Sequence, residues 1–288
     1  MVFRITINKK QRTTNKEQKT LTPVTFATSH PFYNRTLKNK IMKIAKKTQR
    51  PLLSMIILIS GLFLFSCTIG GSHVIRGDGN VVSTVHSVDH FENIDITGVF
   101  DVILEYGTDP VITLKTDENL QELIFIEVRG NVLHVGPTED AIYNHTQMEL
   151  HVVYPSLEQI HVGGACKLRA NNPIYGDRLS FRVSGAADID LEVNVNDLQT
   201  RVSGAGNLNF SGTTEKHNIM LSGASNLRAE ELISKETRIS MSGAGSAHVH
   251  ASDRLQASLS GVGSIRYYGN PIDVKIDKSG LGSIKAGD

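Results

Sequence analysis

The chain has 288 residues, enough for one or two domains, and its overall net charge of +1 hides two opposite parts. Residues 1–66 hold 13 Lys or Arg against one acid, Glu17, leaving 17 basic and 28 acidic residues beyond position 66, a net of −11. An acidic body without tryptophan lacks both the electrostatic footing and the stacking platforms of a nucleic-acid binder, and two cysteines build no disulfide framework.

Residues 1–41 carry no pattern, and Met42 is the more ordinary start for a targeting segment. Lys43, Lys46, Lys47 and Arg50 form a positive cluster, and residues 52–65 are apolar apart from Ser54, Ser60 and Gly61. That run is shorter than the roughly 20 residues that span a bilayer, which favours a secretory signal peptide over an uncleaved anchor. Its end, Leu64-Phe65-Ser66-Cys67, resembles a bacterial lipobox. The resemblance implies that Cys67 is lipidated, becomes the mature N-terminus and holds the protein to a membrane of the cell envelope, with the outer membrane as the expected site. Residues 67–90 bear Gly and Ser with little pattern and read as a tether. Arg76-Gly77-Asp78 within it spells an integrin-binding tripeptide, but a three-residue match in turn-like sequence is expected by chance.

From residue 91 the chain belongs to one domain, 91–288. Strand-like runs fall at 111–115, 123–128, 132–135 and 148–154, with Gly130-Asn131 as a turn and 118–123 as a short helical turn. Pro155 closes the last run, because proline cannot donate to a strand ladder.

Beyond residue 155 the sequence repeats. A knot of small residues recurs as Gly163-Gly164-Ala165, Ser184-Gly185-Ala186, Ser203-Gly204-Ala205, Ser222-Gly223-Ala224, Ser242-Gly243-Ala244, Ser260-Gly261-Val262 and Ser279-Gly280-Leu281. The central glycines are 21, 19, 19, 20, 18 and 19 residues apart, and Thr97-Gly98-Val99 is an earlier outlier in the same phase. Apolar residues alternate on both sides of each knot, as in Val202 before and Leu208 and Phe210 after. Period-two spacing on both flanks predicts two strand segments per repeat, each with one face inside. The expected fold is therefore all-β: a single-stranded parallel β-helix (β-solenoid) of roughly 19-residue coils, with irregular N-terminal coils. The knots are its corners, where glycine permits unusual backbone angles and small neighbours let coils approach to about 4.8 Å.

Ligand-loop readings of the knot fail on chemistry. A calcium solenoid needs repeated carboxylates beside its glycines, whereas the matching places hold Lys167, Asp188, Asn207, Asn226, Ser246, Ser264 and Ser283. No Gly-Lys-Ser/Thr ending follows any knot, so no phosphate loop is present. His248 and His250 lie on one strand and point outward together, but Arg228 and Arg266 flank them and no third ligand is at hand, so no metal or cofactor is expected. Asp188, Asp190 and Glu192 make an acidic outward face; a glycosidase needs one of two carboxyls kept protonated in a closed pocket, which short connections do not wall. Serines recur at the corners without a partnered histidine, and Cys166 takes the place of Gly206 in its repeat, a packing position. No catalytic residue is expected.

Phe91-Glu92-Asn93-Ile94, Gly98-Val99-Phe100-Asp101-Val102, Tyr154-Pro155-Ser156-Leu157 and the serial Ser-Gly-Ala knots together resemble the auto-transporter adhesin family with a head GIN domain. The resemblance covers about residues 91–285 and implies a β-helical fold and a cell-envelope location. It supplies no catalytic residues. The expected function is a non-catalytic, lipid-anchored module that binds a glycan or an envelope protein through outward columns containing Asp188, Asp190, Asn207, Asn209, Arg228 and His248. A polysaccharide-degrading β-helix enzyme and a structural protein that self-associates by end-to-end stacking are the alternatives.

Overall fold

A computed structural model of the chain describes residues 73–287, so the signal segment, Met42 and Cys67 lie outside the described residues. The body is a parallel β-solenoid. Ala186–Val202 and Ala205–Leu221 each run from one knot to the next, and neighbouring coils pair in parallel at the offset the repeat predicts. Ala186 lies on Ala205, Ala224, Ala244 and Val262 in an unbroken register.

Inward columns form because alternate residues of a strand share one face. Leu168, Ile189, Leu208, Leu227, Ala247 and Ile265 stack in one such column and are all buried. Phe181 and Phe210 meet edge to face with centroids 5.7 Å apart. Each fully buried large aliphatic or aromatic side chain contributes about 1.5–3 kcal/mol, and a coil gains this only with a neighbour above and below. Polar pairs interrupt the interior: Thr200 Oγ1 lies 3.0 Å from His217 Nε2, and Ser234 Oγ lies 2.6 Å from Thr237 Oγ1, all four residues buried. Burial holds the His217 imidazole down at about 3 and therefore neutral.

The corners turn for a reason narrower than expected. Among the knot glycines from Gly98 to Gly280, only Gly98 has a positive φ, 98°. What excludes a side chain at Gly164 and at the central glycines from Gly185 to Gly280 is close approach: a Cβ on Gly204 would run into the carbonyl of Gly185, and one on Gly223 into that of Gly204. The glycines serve contact between coils rather than backbone freedom.

The N-terminal third departs from chain order. Asn93–Ile96 and Val99–Tyr106 make one coil, yet the coil stacked before it comes from later residues, Val132–Pro137 and Met148–Tyr154. The chain then returns through Gln159–Val162 and Ala165–Ala170 to the other side of the first coil. Val111–Asp117 pairs antiparallel with Met148–Tyr154, and Ile124–Arg129 forms a hairpin with Val132–Pro137 through Gly130 and Asn131, both with φ near +60°. The helical turn falls at Glu118–Leu123. The tether expected over 67–90 is corrected for part of its length. Val81–Ser87 is a strand paired antiparallel with Val111–Asp117, and Val74–Arg76 pairs with Ile142–Asn144. Short β-branched runs suffice there because the partner strand offers an unpaired edge.

Candidate functional site

The strand that follows each knot presents two outward columns, and the structure brings all six expected binding residues into them. Lys167, Asp188, Asn207, Asn226 and Ser246 form the first; Arg169, Asp190, Asn209, Arg228 and His248 form the second. Together they line a shallow groove of about 730 Å³. Successive coils exchange side-chain hydrogen bonds along it. Asn209 Nδ2 donates to Asp190 Oδ1 at 2.8 Å, Asn226 Nδ2 to Asn207 Oδ1 at 3.2 Å, and Ser246 Oγ to Asn226 Oδ1 at 3.0 Å. Such ladders hold the groups in fixed order while one edge of each stays open to solvent. His248 is taken up differently: its Nδ1 lies 3.5 Å from Glu230 Oε1 and its ring is tilted against Tyr268. Periodicity assigned Glu230 no role, because it lies in a connection outside the repeating columns. Among the described residues no group of three or more His, Cys, Asp or Glu is arranged to hold a metal ion.

Cys166 is buried under the corner, and burial, with Asp101 nearby, pushes its thiol up to about 12. It is a protonated packing group rather than a nucleophile.

On the other side of the corner the structure corrects an expectation. A serine is partnered with a histidine after all: His161 Nε2 lies 3.1 Å from Ser184 Oγ, and His161 Nδ1 lies 2.9 Å from Asp95 Oδ1. A carboxylate only accepts, so Nδ1 carries the proton and Nε2 receives the serine hydroxyl. His134 approaches the other oxygen of Asp95 at 3.5 Å. The four residues come from separate coils, and Asp95 is 66 positions from His161, far from the 19-residue step. A signal existed, since Asp95 and His161 stand at the same distance before their knots, but the intervening excursion hid that they are neighbours. Ser184 sits exposed at the corner in a second groove, of about 480 Å³, which also holds Arg182 and Arg201.

The fold and these stacked polar faces define a class: β-helical surfaces that present ladders of small polar groups. The family described as "Putative auto-transporter adhesin, head GIN domain" matches residues 90–271, more than half of the chain, and the protein belongs to it. Among solved structures, a "putative adhesin" from Bacteroides fragilis NCTC 9343 is similar at 24% identity with a TM-score of 0.70, covering 74% of this chain and 100% of that one. A "putative adhesin" from Parabacteroides merdae ATCC 43184 follows at 22% and 0.59, covering 75% and 100%. A "Putative lipid binding protein" from Parabacteroides distasonis ATCC 8503 stands at 19% and 0.58, covering 75% and 100%. At these identities the likeness shows the shared fold. No curated protein matches the chain. Membership in an adhesin family accords with a cell-envelope or surface protein, and among the described residues no helix is long and apolar enough to cross a membrane.

Proposed function

We propose that the protein is a non-catalytic binding module of the cell envelope, held to the membrane by lipid at Cys67, which contacts a glycan or a protein partner through the ladder face. The observation that carries this reading is the in-register stack of Asp188, Asp190, Asn207, Asn209, Arg228 and His248 along one groove. A row of fixed donors and acceptors suits an extended partner lying along the solenoid axis, since each coil repeats the contact at strand spacing of about 4.8 Å. The face is open and its carboxylates stand among amides, which favours recognition over acid–base chemistry.

A glycan and envelope-protein binding screen tests the reading, using a chain that starts at His73, since the described residues form one unit with its own core. Binding that Asp190→Ala with Asn209→Ala weakens at least tenfold is the expected result. Turnover of a polysaccharide that is lost in Asp188→Asn would replace the reading with an enzyme. Attachment at Cys67 is checked separately by metabolic labelling with a fatty acid, which Cys67→Ala should abolish.

End-to-end self-association is a second reading, and the last described coil favours it. Asp273–Lys278 is exposed throughout, and Ile272, Val274, Ile276 and Leu281 show apolar surface there. Open strand edges invite pairing. Concentration-dependent dimers that vanish in Ile276→Lys would support it, and a monomeric mass at high concentration would end it.

A further inference from the structure

We propose that the second groove, across the corner from the ladder face, binds the negatively charged groups, carboxylate or sulfate, of an extended acidic polysaccharide. Its starting point is a charge mismatch. The outward columns of the strands before the knots can be read coil by coil from the register. One of them runs Arg178, Asp197, Lys216, Glu236, Arg254, Asp273, alternating in sign at every step. Arg254 bonds both of its acidic neighbours, Glu236 at 3.3 Å and Asp273 at 3.1 Å. Four residues along the same strands, Arg182 lies directly on Arg201, and Met220 comes next. Neither arginine has an ion-pair partner among the described residues, and both are exposed. Like charges directly opposite on neighbouring strands cost free energy, so this pair is held in a state that a bound anion relieves.

The surroundings fit that anion. The groove's lining contains no Asp or Glu, although the body of the protein carries a net charge of −11. The nearest carboxylate along the column, Asp95, is already engaged by His161 and His134. A guanidinium offers a planar fork that matches carboxylate or sulfate with two parallel hydrogen bonds, and two forks stand one coil apart. Beside them the corner serines 184, 203 and 222 make a line of hydroxyls. Ser203 and Ser222 donate to the carbonyls of Val183 and Val202, which leaves their lone pairs open to sugar hydroxyls. Ser184 shares its proton with His161, which Asp95 fixes in orientation. A polymer running along the solenoid axis would meet cation and hydroxyl side by side at each of two coils. Single-stranded nucleic acid is the poorer fit, because the groove has no aromatic platform other than the imidazole already tied to Asp95.

The test is independent of the ladder face. The chain starting at His73 is titrated calorimetrically at 0.15 M salt with dextran sulfate, with polygalacturonate and with neutral dextran of the same length. Binding of at least one acidic polymer and not of neutral dextran is expected. Which of the two binds tells sulfate from carboxylate. Arg182→Ala with Arg201→Ala should weaken binding at least tenfold, whereas Arg178→Ala with Lys216→Ala, which removes two exposed cations of the alternating column, should leave it unchanged. Thermal melting of the double arginine variant should not fall, since a repulsive pair has been removed, so lost binding would not report lost folding. Binding that survives loss of both arginines, equal binding of a single-stranded DNA, or no binding of either acidic polymer overturns the proposal. None of these outcomes bears on whether the ladder face binds its own partner.

Discussion

The coil array and the N-terminal third solve one problem, holding strands together edge to edge, by different means. From Ile174 to Tyr268 each coil repeats a single backbone contact, glycine under carbonyl, with the same inward columns. From Val74 to Ala170 the segments are pinned by individual side chains across long stretches of sequence. Asp117, buried, accepts the N–H groups of Gly79 at 2.8 Å and Thr146 at 2.7 Å, and Asn119 bonds both Arg76 and Asp78. Burial works against the Asp117 charge, yet these N–H donors outweigh it and hold the carboxyl below its ordinary value. Repetition distributes stability over many equivalent contacts, whereas pins concentrate it in a few. The first is sensitive to added volume and the second to deleted atoms.

The largest effect is expected where the array is tightest. Gly204→Val places a branched side chain against the Gly185 carbonyl, and overpacking against backbone should cost about 3 kcal/mol or more. Urea unfolding measures it, with Ser203→Ala as the mild neighbouring control.

Deleting a pin should cost less and act locally. Asp117→Ala removes the charged acceptor of two part-buried N–H groups, a loss of about 2 kcal/mol. Hydrogen exchange should accelerate across Val81–Ser87 while Ala205–Leu221 stays protected, because coils in a solenoid couple mainly to their neighbours. Equal acceleration in both segments would erase the distinction between the two regions.

Acid separates them more finely. His217 is neutral in the fold, with its value lowered to about 3, whereas in the unfolded chain it takes up a proton near 6.5. The unfolded state therefore binds more protons between those values, and stability falls as pH drops through that window, at most about 1.4 kcal/mol per unit. Asp117 acts the same way at lower pH: its contribution is present above 3.8 and is lost as pH falls towards its depressed folded value. Thermal melts from pH 7 to 4 should decline in the parent and flatten in Thr200→Val with His217→Leu.

The smallest stability effect belongs to the ladder face. Asn209→Ala removes an exposed hydrogen bond to Asp190 and should change stability by less than about 0.5 kcal/mol. Thermal melts should therefore coincide with the parent's, so that any change in partner binding is read without a folding term.

Much of the array was legible in advance. The knot spacing gave the coil, alternation gave the inward columns, and columns placed by counting from each knot coincide with the strand register. Alternation places Thr200 inward between Leu198 and Val202 and says no more of it. Its hydroxyl is satisfied by His217 from the next coil, a partner that no local pattern reveals. The strand Val81–Ser87 was missed because it lies on an antiparallel edge and does not share the repeat's phase. The Ser184–His161–Asp95 chain was missed because the 111–154 excursion inserts a coil out of order and breaks the count.

By itself the sequence determined what periodicity can carry: a side-chain period of two selects which face is inside, and a fixed step between small residues selects how coils stack. Tertiary structure alone decided what depends on the third dimension at a single place. It set which coil precedes the first, which polar groups find partners inside, and which charges on neighbouring coils are matched or left facing one another. A repeated contact is written many times in the chain, whereas a unique one is written once, in residues far apart, and only folding brings them within hydrogen-bond reach.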